Sequence, residues 1–281
     1  MKIITSPNRM QEICNKMQRD GKVVGFVPTM GYLHKGHLSL VRVAKKKSDV
    51  LVVSIFVNPA QFGPKEDFKR YPRDFARDGD LLKEEGCDYV FAPKTKNMYP
   101  ESYSTFIEVN GLSSKLEGAS RPGHFKGVTT IVAKLFHIVQ PDIAVFGQKD
   151  AQQVVIINKM VKDLNFKTKI VIAPTVREKD GLAQSSRNKY LSPKQRKDAT
   201  VLYESLALAK GLIRNGEKDA KTIVNKMREL INKEKGAKID YIAIANTENL
   251  NPIEKIKGEV LISLAVQFGK TRLIDNIKMK I

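Results

Sequence analysis

Residues 23–37 read VVGFVPTMGYLHKGH. Val23 to Val27 form a short apolar, β-rich run and a helical pattern starts near His37, so the ten residues PTMGYLHKGH are a strand-to-helix turn. Gly31 and Gly36 fall inside that turn, and His34 and His37 bracket the second glycine. With four histidines in 281 residues, two in one turn ask for a chemical reason. The first turn of a helix presents unpaired N–H groups and a partial positive charge. Glycine lets a bulky anion approach the backbone, and the two imidazoles add donors on the same side. The stretch is shaped to hold phosphate. The competing reading is a plain turn with two surface histidines, because H-x-G-H spacing recurs by chance.

Outward from this turn the same alternation repeats. Apolar runs at 49–57 (DVLVVSIFV), 87–92 (CDYVFA), 142–147 (DIAVFG) and 169–174 (KIVIAP) are separated by helical patterns HLSLVRVAKKK, RDFARDGDLLKEEG, VTTIVAKLFHIVQ and AQQVVIINKMVKDL. Strands alternating with helices predict crossover units and a parallel sheet covered on both faces. The expected fold is α/β, an open doubly wound parallel sheet over residues 1–176. Beyond VREKDGLAQSSRNKYLSPKQR two long helical patterns, about 193–214 and 218–234, precede KIDYIAIAN and GEVLISLAVQF. Residues 177–281 are therefore expected to form a smaller α+β domain.

Composition narrows the function classes. No apolar run approaches the roughly 18 residues of a membrane span, and MKIITSPNRMQE lacks the apolar stretch of a signal peptide. Cys14 and Cys87 stand alone, with no C-x-x-C pair, so neither a disulfide scaffold nor a metal framework is expected. These features predict a soluble, cytoplasmic protein without a membrane partner. The formal net charge of +19 raises nucleic-acid binding. Up to residue 176, however, 27 basic face 17 acidic residues (+10), and beyond it 22 face 13 (+9), so the excess is diffuse. Tracts such as Lys45-Lys46-Lys47 also lack interleaved aromatics. No nucleic-acid partner is expected; the charge serves to attract anionic substrates such as nucleotides.

Four further stretches carry polar residues at strand ends or the domain junction. SIFVNPAQFGPKEDFKRYPRD (54–74) leaves a strand through Asn58-Pro59 into a loop of about fifteen residues, and Gln61 sits where an amide can both donate to and accept from a small polyhydroxy acid. FGQKDAQQ (146–153) places Lys149 and Asp150 in another exit turn, the lysine as a point charge for phosphate and the aspartate as a helix cap. QSSRN (184–188) offers two hydroxyls and an arginine to a triphosphate. In EGASRPGHFKGVTT (117–130), Arg121, His124 and Lys126 fall in a glycine-rich loop, whereas His137 reads as a packed helix residue. Each alone also reads as an ordinary loop, cap or linker. Neither a G-x-x-x-x-G-K-[ST] loop nor a G-x-G-x-x-G turn occurs, so a nucleotide would have to bind through the histidine turn.

In this order, PTMGYLHKGH, SIFVNPAQFGP, YPRD, EGASRPGHFKGVTT, FGQKDAQQ and SSRN resemble the pantothenate synthetase (pantoate:beta-alanine ligase) family, of the H-x-G-H nucleotidylyltransferase superfamily. The resemblance covers residues 23 to about 192. It implies a Rossmann-like first domain that binds ATP and pantoate, a C-terminal domain that closes over the site, and a homodimer. It implies ATP-dependent joining of (R)-pantoate to beta-alanine through a pantoyl-adenylate, releasing AMP and pyrophosphate, with Mg²⁺ as companion of ATP. Residue by residue, Met30, Gly31, Tyr32, Leu33, His34, Lys35, Gly36 and His37 match the family's ATP-binding turn, with His37 as proton donor and His34 as its phosphate-contacting partner. Gly147, Gln148, Lys149 and Asp150 match a second ATP segment that holds the phosphate lysine, Lys149. Val176, Gln184, Ser185, Ser186 and Arg187 match the remaining ATP contacts, Gln184 standing where Met or Leu is usual. Gln61 matches the contact for pantoate and beta-alanine, and Gln153 a second pantoate contact. No residue is expected to bind metal on its own. A different H-x-G-H nucleotidylyltransferase, which would leave Gln61 and Gln153 without a role, is the alternative enzyme.

Overall fold

The computed structural model describes residues 1–64 and 66–281; Lys65, within the loop at 54–74, lies outside them. The strands are β1 (Lys2–Ile4), β2 (Val24–Thr29), β3 (Val50–Ile55), β4 (Tyr89–Phe91), β5 (Ile143–Gly147), β6 (Lys169–Ala173), β7 (Ala237–Asn246), β8 (Glu259–Phe268) and β9 (Thr271–Lys280). The helices are α1 (Pro7–Arg19), α2 (Lys35–Lys45), α3 (Phe75–Glu84), α4 (Thr95–Met98), α5 (Glu117–Ser120), α6 (His124–Val139), α7 (Ala151–Asp163), α8 (Pro193–Asp198), α9 (Val201–Arg214) and α10 (Ala220–Ile231).

Successive side chains of a strand point to opposite faces, and here both faces are apolar. Val24 and Phe26 of β2, Val52 of β3, and Ala144 and Phe146 of β5 pack under α1, α6 and α7. Their neighbours Val27, Leu51, Val53 and Val145 pack against α2 and α3. Two-sided burial is what a central parallel strand requires, and it produces the doubly wound sheet expected from the alternation. Phe26 meets Phe136 of α6 edge to face, with ring centroids 6.4 Å apart, a geometry worth about 1 kcal/mol beyond its buried area.

The six strands run parallel in the order β1-β4-β3-β2-β5-β6. From β2 the chain proceeds to β3 on one side and later to β5 on the other. The order therefore reverses between β2 and β5, and the crevice beyond their carboxyl ends is the expected ligand position in such a sheet. The histidine turn leaves β2 there, and Gly147 to Asp150 leave β5 there. The second sheet, β7-β8-β9, is antiparallel, and α9 and α10 pack on it through a core that includes Leu206, Ile223, Met227, Ile262 and Leu264.

Several local expectations are corrected. β1, α1 and β9 form where the pattern gave no element: β1 is three residues long and exists by pairing with β4, and β9 interrupts its apolar alternation with buried Asp275 and Asn276. The helix expected over 193–214 breaks into α8 and α9, with Ala199 and Thr200 between them. Helix α6 starts at His124, so His124 and Lys126 lie in its first turn rather than in a loop. His137 is on the exposed side of that helix, its ring 5.2 Å from that of Phe166. The loop after β3 contains a tight helical turn, Pro59–Gln61, capped by Asn58.

Candidate active site

The histidine turn is fixed by local chemistry first. Gly31 adopts φ +78° and Tyr32 φ +51°, a left-handed pair that glycine tolerates and tyrosine holds only under outside constraint. The constraint is Asp78, from α3 and 1% exposed. Its carboxylate accepts from the Tyr32 and Leu33 amides at 2.6 and 2.7 Å. Burial raises the Asp78 carboxyl above the usual range, and the two amides act against that rise. Arg77 and Lys189 flank the Tyr32 ring, 5.3 and 4.0 Å from its centroid.

His34 then caps α2: its Nδ1 accepts from the Gly36 amide at 3.1 Å. A neutral ring with Nδ1 accepting carries its proton on Nε2, which leaves that N–H free to donate. The His34 and His37 rings lie 4.0 Å apart, tilted by 32°. Burial, then the positive charge of Lys149, push the His34 pKa down to about 4. Burial, His34 and Lys149 together hold His37 well below the ordinary range. The ligand-free imidazoles are thus neutral donors at pH 7, and the standing positive charge comes from Lys149 and the start of α2. Among the described residues the buried His37 Nδ1 has no hydrogen-bond partner.

Lys149 sits on the turn Gln148–Asp150, its Nζ 3.6 Å from an Asp150 oxygen. Asp150 occupies the cap position of α7 but its side chain accepts no capping bond, contrary to expectation. The Gln148 side chain donates to Asn276 of β9 at 3.0 Å and is thereby directed into the junction between the two sheets. Lys35 is exposed, whereas Met30 is half-buried and accepts from Gln61 Nε2 through its sulfur at 3.2 Å. Gln61, 9% exposed, is held by Asn58, whose Nδ2 donates to Gln61 Oε1 at 3.1 Å and to the Gly127 carbonyl at 3.0 Å. The Gln61 carbonyl accepts from His124 Nδ1 at 2.8 Å. Burial and the neighbouring Arg121 depress the His124 pKa to about 4.

The 184–187 segment lies across the same turn. A Cβ added at Gly36 would stand 2.8 Å from His34 Cε1, so glycine is what lets the His34 ring fold back over the turn, and 3.5 Å from Gln184 Cβ, an ordinary contact. The Gln184 amide donates to the Val176 carbonyl at 2.9 Å, and Ser185 caps the turn that follows. Ser186 meets the Tyr71 hydroxyl at 3.2 Å. Arg187 makes a two-pronged ion pair with Asp67, at 2.9 and 3.0 Å. A cleft of about 700 Å³ opens beside it between the two sheets. Lys149, Asp150, Gln153, Ser185 and Arg187 line one side, and Thr271 to Asn276 of β9 line the other. His34, His37 and Gln61 lie outside that lining; Lys149, which is part of it, is near enough to the two histidines to hold their pKa values down.

The family model for pantoate-beta-alanine ligase matches residues 2–278. The chain belongs to that family. It is 56% identical over 277 residues to the pantothenate synthetase of Caldicellulosiruptor bescii, covering 99% of this chain and 98% of the relative. It is 54% identical over 281 residues to that of Acetivibrio thermocellus, covering 100% of both chains. The fold superposes on the crystal structure of pantothenate synthetase from Thermus thermophilus with a TM-score of 0.94, at 45% identity and 99% coverage of each chain. A pantoate-beta-alanine ligase from Francisella tularensis, solved with beta-gamma ATP and beta-alanine, aligns with a TM-score of 0.80, at 37% identity over 99% of this chain and 97% of that one.

For this member of the pantoate-beta-alanine ligase family, local sequence signals mark the strand-end stretches but not their supports. Asp78, Asp67, Asn276 and Glu66, whose carboxylate pairs with Arg121 at 2.6 and 2.8 Å, carry no local signal, because each acts on a partner far away in the chain. Asn58 does carry one, as the Asn-Pro pair that ends β3 and caps the next turn.

Proposed function

We propose that this chain joins (R)-pantoate to beta-alanine in two steps at the crevice where the histidine turn and Lys149 meet. The pantoate carboxylate attacks the α-phosphorus of ATP, the bond to the bridging oxygen breaks, and pyrophosphate leaves. The amine of beta-alanine, once deprotonated, then attacks the acyl carbon of the pantoyl-adenylate and AMP leaves. Both reactants of the first step are anions, so catalysis rests on holding them in line and on donors aimed at the phosphates. His34 Nε2–H and His37 supply neutral donors, and Lys149 supplies charge. Arg187 joins them by exchanging Asp67 for the triphosphate. As phosphate approaches, its negative charge favours the imidazolium, which suits His37 to proton donation. Met30 to His37, Gly147 to Asp150, Val176 and Gln184 to Arg187 form the nucleotide cradle in this reading, with Gln61 and Gln153 on the pantoate and beta-alanine side.

Among the described residues no group of three or more His, Cys, Asp or Glu is arranged to hold a metal ion. Mg²⁺ would be held by ATP itself with Asp150 as the one nearby carboxylate of the cradle, and would supply positive charge to the leaving pyrophosphate. In this reading residues 1–176 hold pantoate and most of the ATP contacts, and residues 177–281, which bring Gln184 to Arg187, close over them. A homodimer, on the strength of the family alone, and a cytoplasmic setting, on the composition of the sequence, belong to the same reading. No helix among the described residues is long and apolar enough to cross a membrane.

The observation that carries the proposal is the pair of imidazoles, with ring centroids 4.0 Å apart on the turn that leaves β2, beside the turn leaving β5 that carries Lys149, at the switch point of the sheet. The test is product analysis. Pyrophosphate should appear only with ATP and pantoate together, and AMP and amide product once beta-alanine is added. ADP as product, or AMP transfer to a phosphorylated acceptor instead, would contradict it.

A further inference from the structure

Asn276 lies in the middle of β9 and is 4% exposed, beside Asp275 at 2%. Two adjacent buried polar residues are unfavourable in a strand unless partners satisfy them. The partners lie across the cleft. Asn276 Nδ2 donates to the carbonyls of Gln148 and Lys149 at 3.1 and 2.8 Å, and its Oδ1 accepts from Gln148 Nε2 at 3.0 Å. The orientation of the amide is unambiguous, because a flipped group would set its oxygen against two carbonyl oxygens.

Asn276 is itself held. Its amide N–H donates to Asp275 Oδ1 at 2.8 Å, and Asp275 pairs with Arg177 at 2.6 and 3.0 Å. Arg177 also donates to the Gly181 carbonyl at 3.0 Å. On the other side, neither Gly147 nor Asp150 gives the 148–150 turn or the start of α7 a side-chain capping bond. The turn that carries Lys149 therefore takes its side-chain support from the far end of the chain.

We propose that Asn276 is the positioning residue for Lys149, fixing from the second sheet the turn through which the lysine reaches the phosphates. The inference rests on the reading that Lys149 meets phosphate. Asn276→Asp keeps the size and the acceptor for Gln148 but loses the donor to both carbonyls. Loss of in-line placement by about 1 Å costs on the order of a hundredfold in rate; a partial release of this turn is expected to lower kcat/KM for ATP about tenfold.

The experiment is a double-mutant cycle on the full chain, read by pyrophosphate release with ATP and pantoate, alongside urea unfolding. Lys149→Ala should lower turnover sharply, and Asn276→Asp added to it should cost less than about twofold, because the residue acts through the lysine. Independent, multiplying losses would overturn the positioning role while leaving the lysine assignment intact, as would an Asn276→Asp variant with wild-type kcat/KM. A Lys149→Ala enzyme that keeps its turnover would instead remove the phosphate role, and the inference with it. Where the new carboxylate prevents folding, Asn276→Ala removes the same donor without a buried charge and completes the cycle.

Discussion

His37 and Lys149 separate chemistry from stability at the scale of single residues. Lys149 is paired only with its neighbour Asp150 at 3.6 Å among the described residues, and such partly exposed pairs contribute little to folding. Lys149→Ala should leave the unfolding free energy, from urea titration, within about 1 kcal/mol of wild type while lowering kcat/KM for ATP by about a hundredfold or more. His37→Ala should behave similarly, since the truncation removes a buried nitrogen that has no partner. Steady-state kinetics and urea unfolding on the same preparations check both; equal losses of stability and turnover would make these residues structural. The residue types were legible in the sequence, two scarce histidines and a lysine at strand ends. The ionisation of the histidines was not, because their burial and the charge of Lys149 act on them only when the β2 and β5 ends come side by side.

The histidine turn is legible as an element and incomplete as one. Local sequence supplies the strand, the glycine with φ +78° and the His34 cap of α2. Tyr32 in a left-handed conformation costs free energy, on the order of 1 kcal/mol or more, and the two bonds to Asp78 offset it. Asp78→Asn replaces one acceptor oxygen by a donor facing an amide N–H. It should destabilise the fold by about 1–3 kcal/mol and lower kcat/KM for ATP, because the imidazoles are carried by that turn. Thermal unfolding and kinetics together test this; a variant that folds with unchanged kcat/KM would show that the turn holds itself.

The whole molecule should register acid through its buried imidazoles. The pKa values of His34 and His124 are depressed to about 4, against about 6.5 in an unfolded chain, and that of His37 is depressed as well. Between those values the unfolded chain binds protons that the folded chain refuses, so stability falls as pH drops from about 6.5 towards 4, and His34 and His124 add no further loss below it. Burial raises the Glu66 and Asp67 carboxyls, but their ion pairs with Arg121 and Arg187 outweigh it and hold both below the usual range. Their contribution is present above the ordinary carboxylate pKa and is lost at still lower pH. Urea midpoints measured from pH 7 to 5 should decline. His34→Asn, which keeps a capping side chain and removes one titrating group, should flatten the decline; an unchanged slope would show that His34 titrates normally in the folded chain.

The sequence by itself determined the strand–helix alternation, the parallel sheet and the strand-end turns that carry His34, His37, Gln61 and Lys149. These follow from periodicity and turn chemistry, which act over a few residues. The tertiary structure alone decided that Asp78 would hold the histidine turn, that Asp67 would engage Arg187, and that a strand ending the chain would hold the Lys149 turn. A buried or half-buried carboxylate or amide acquires its role from a partner 46, 120 or 127 positions away, and no local pattern encodes which partner tertiary packing will bring within about 3 Å.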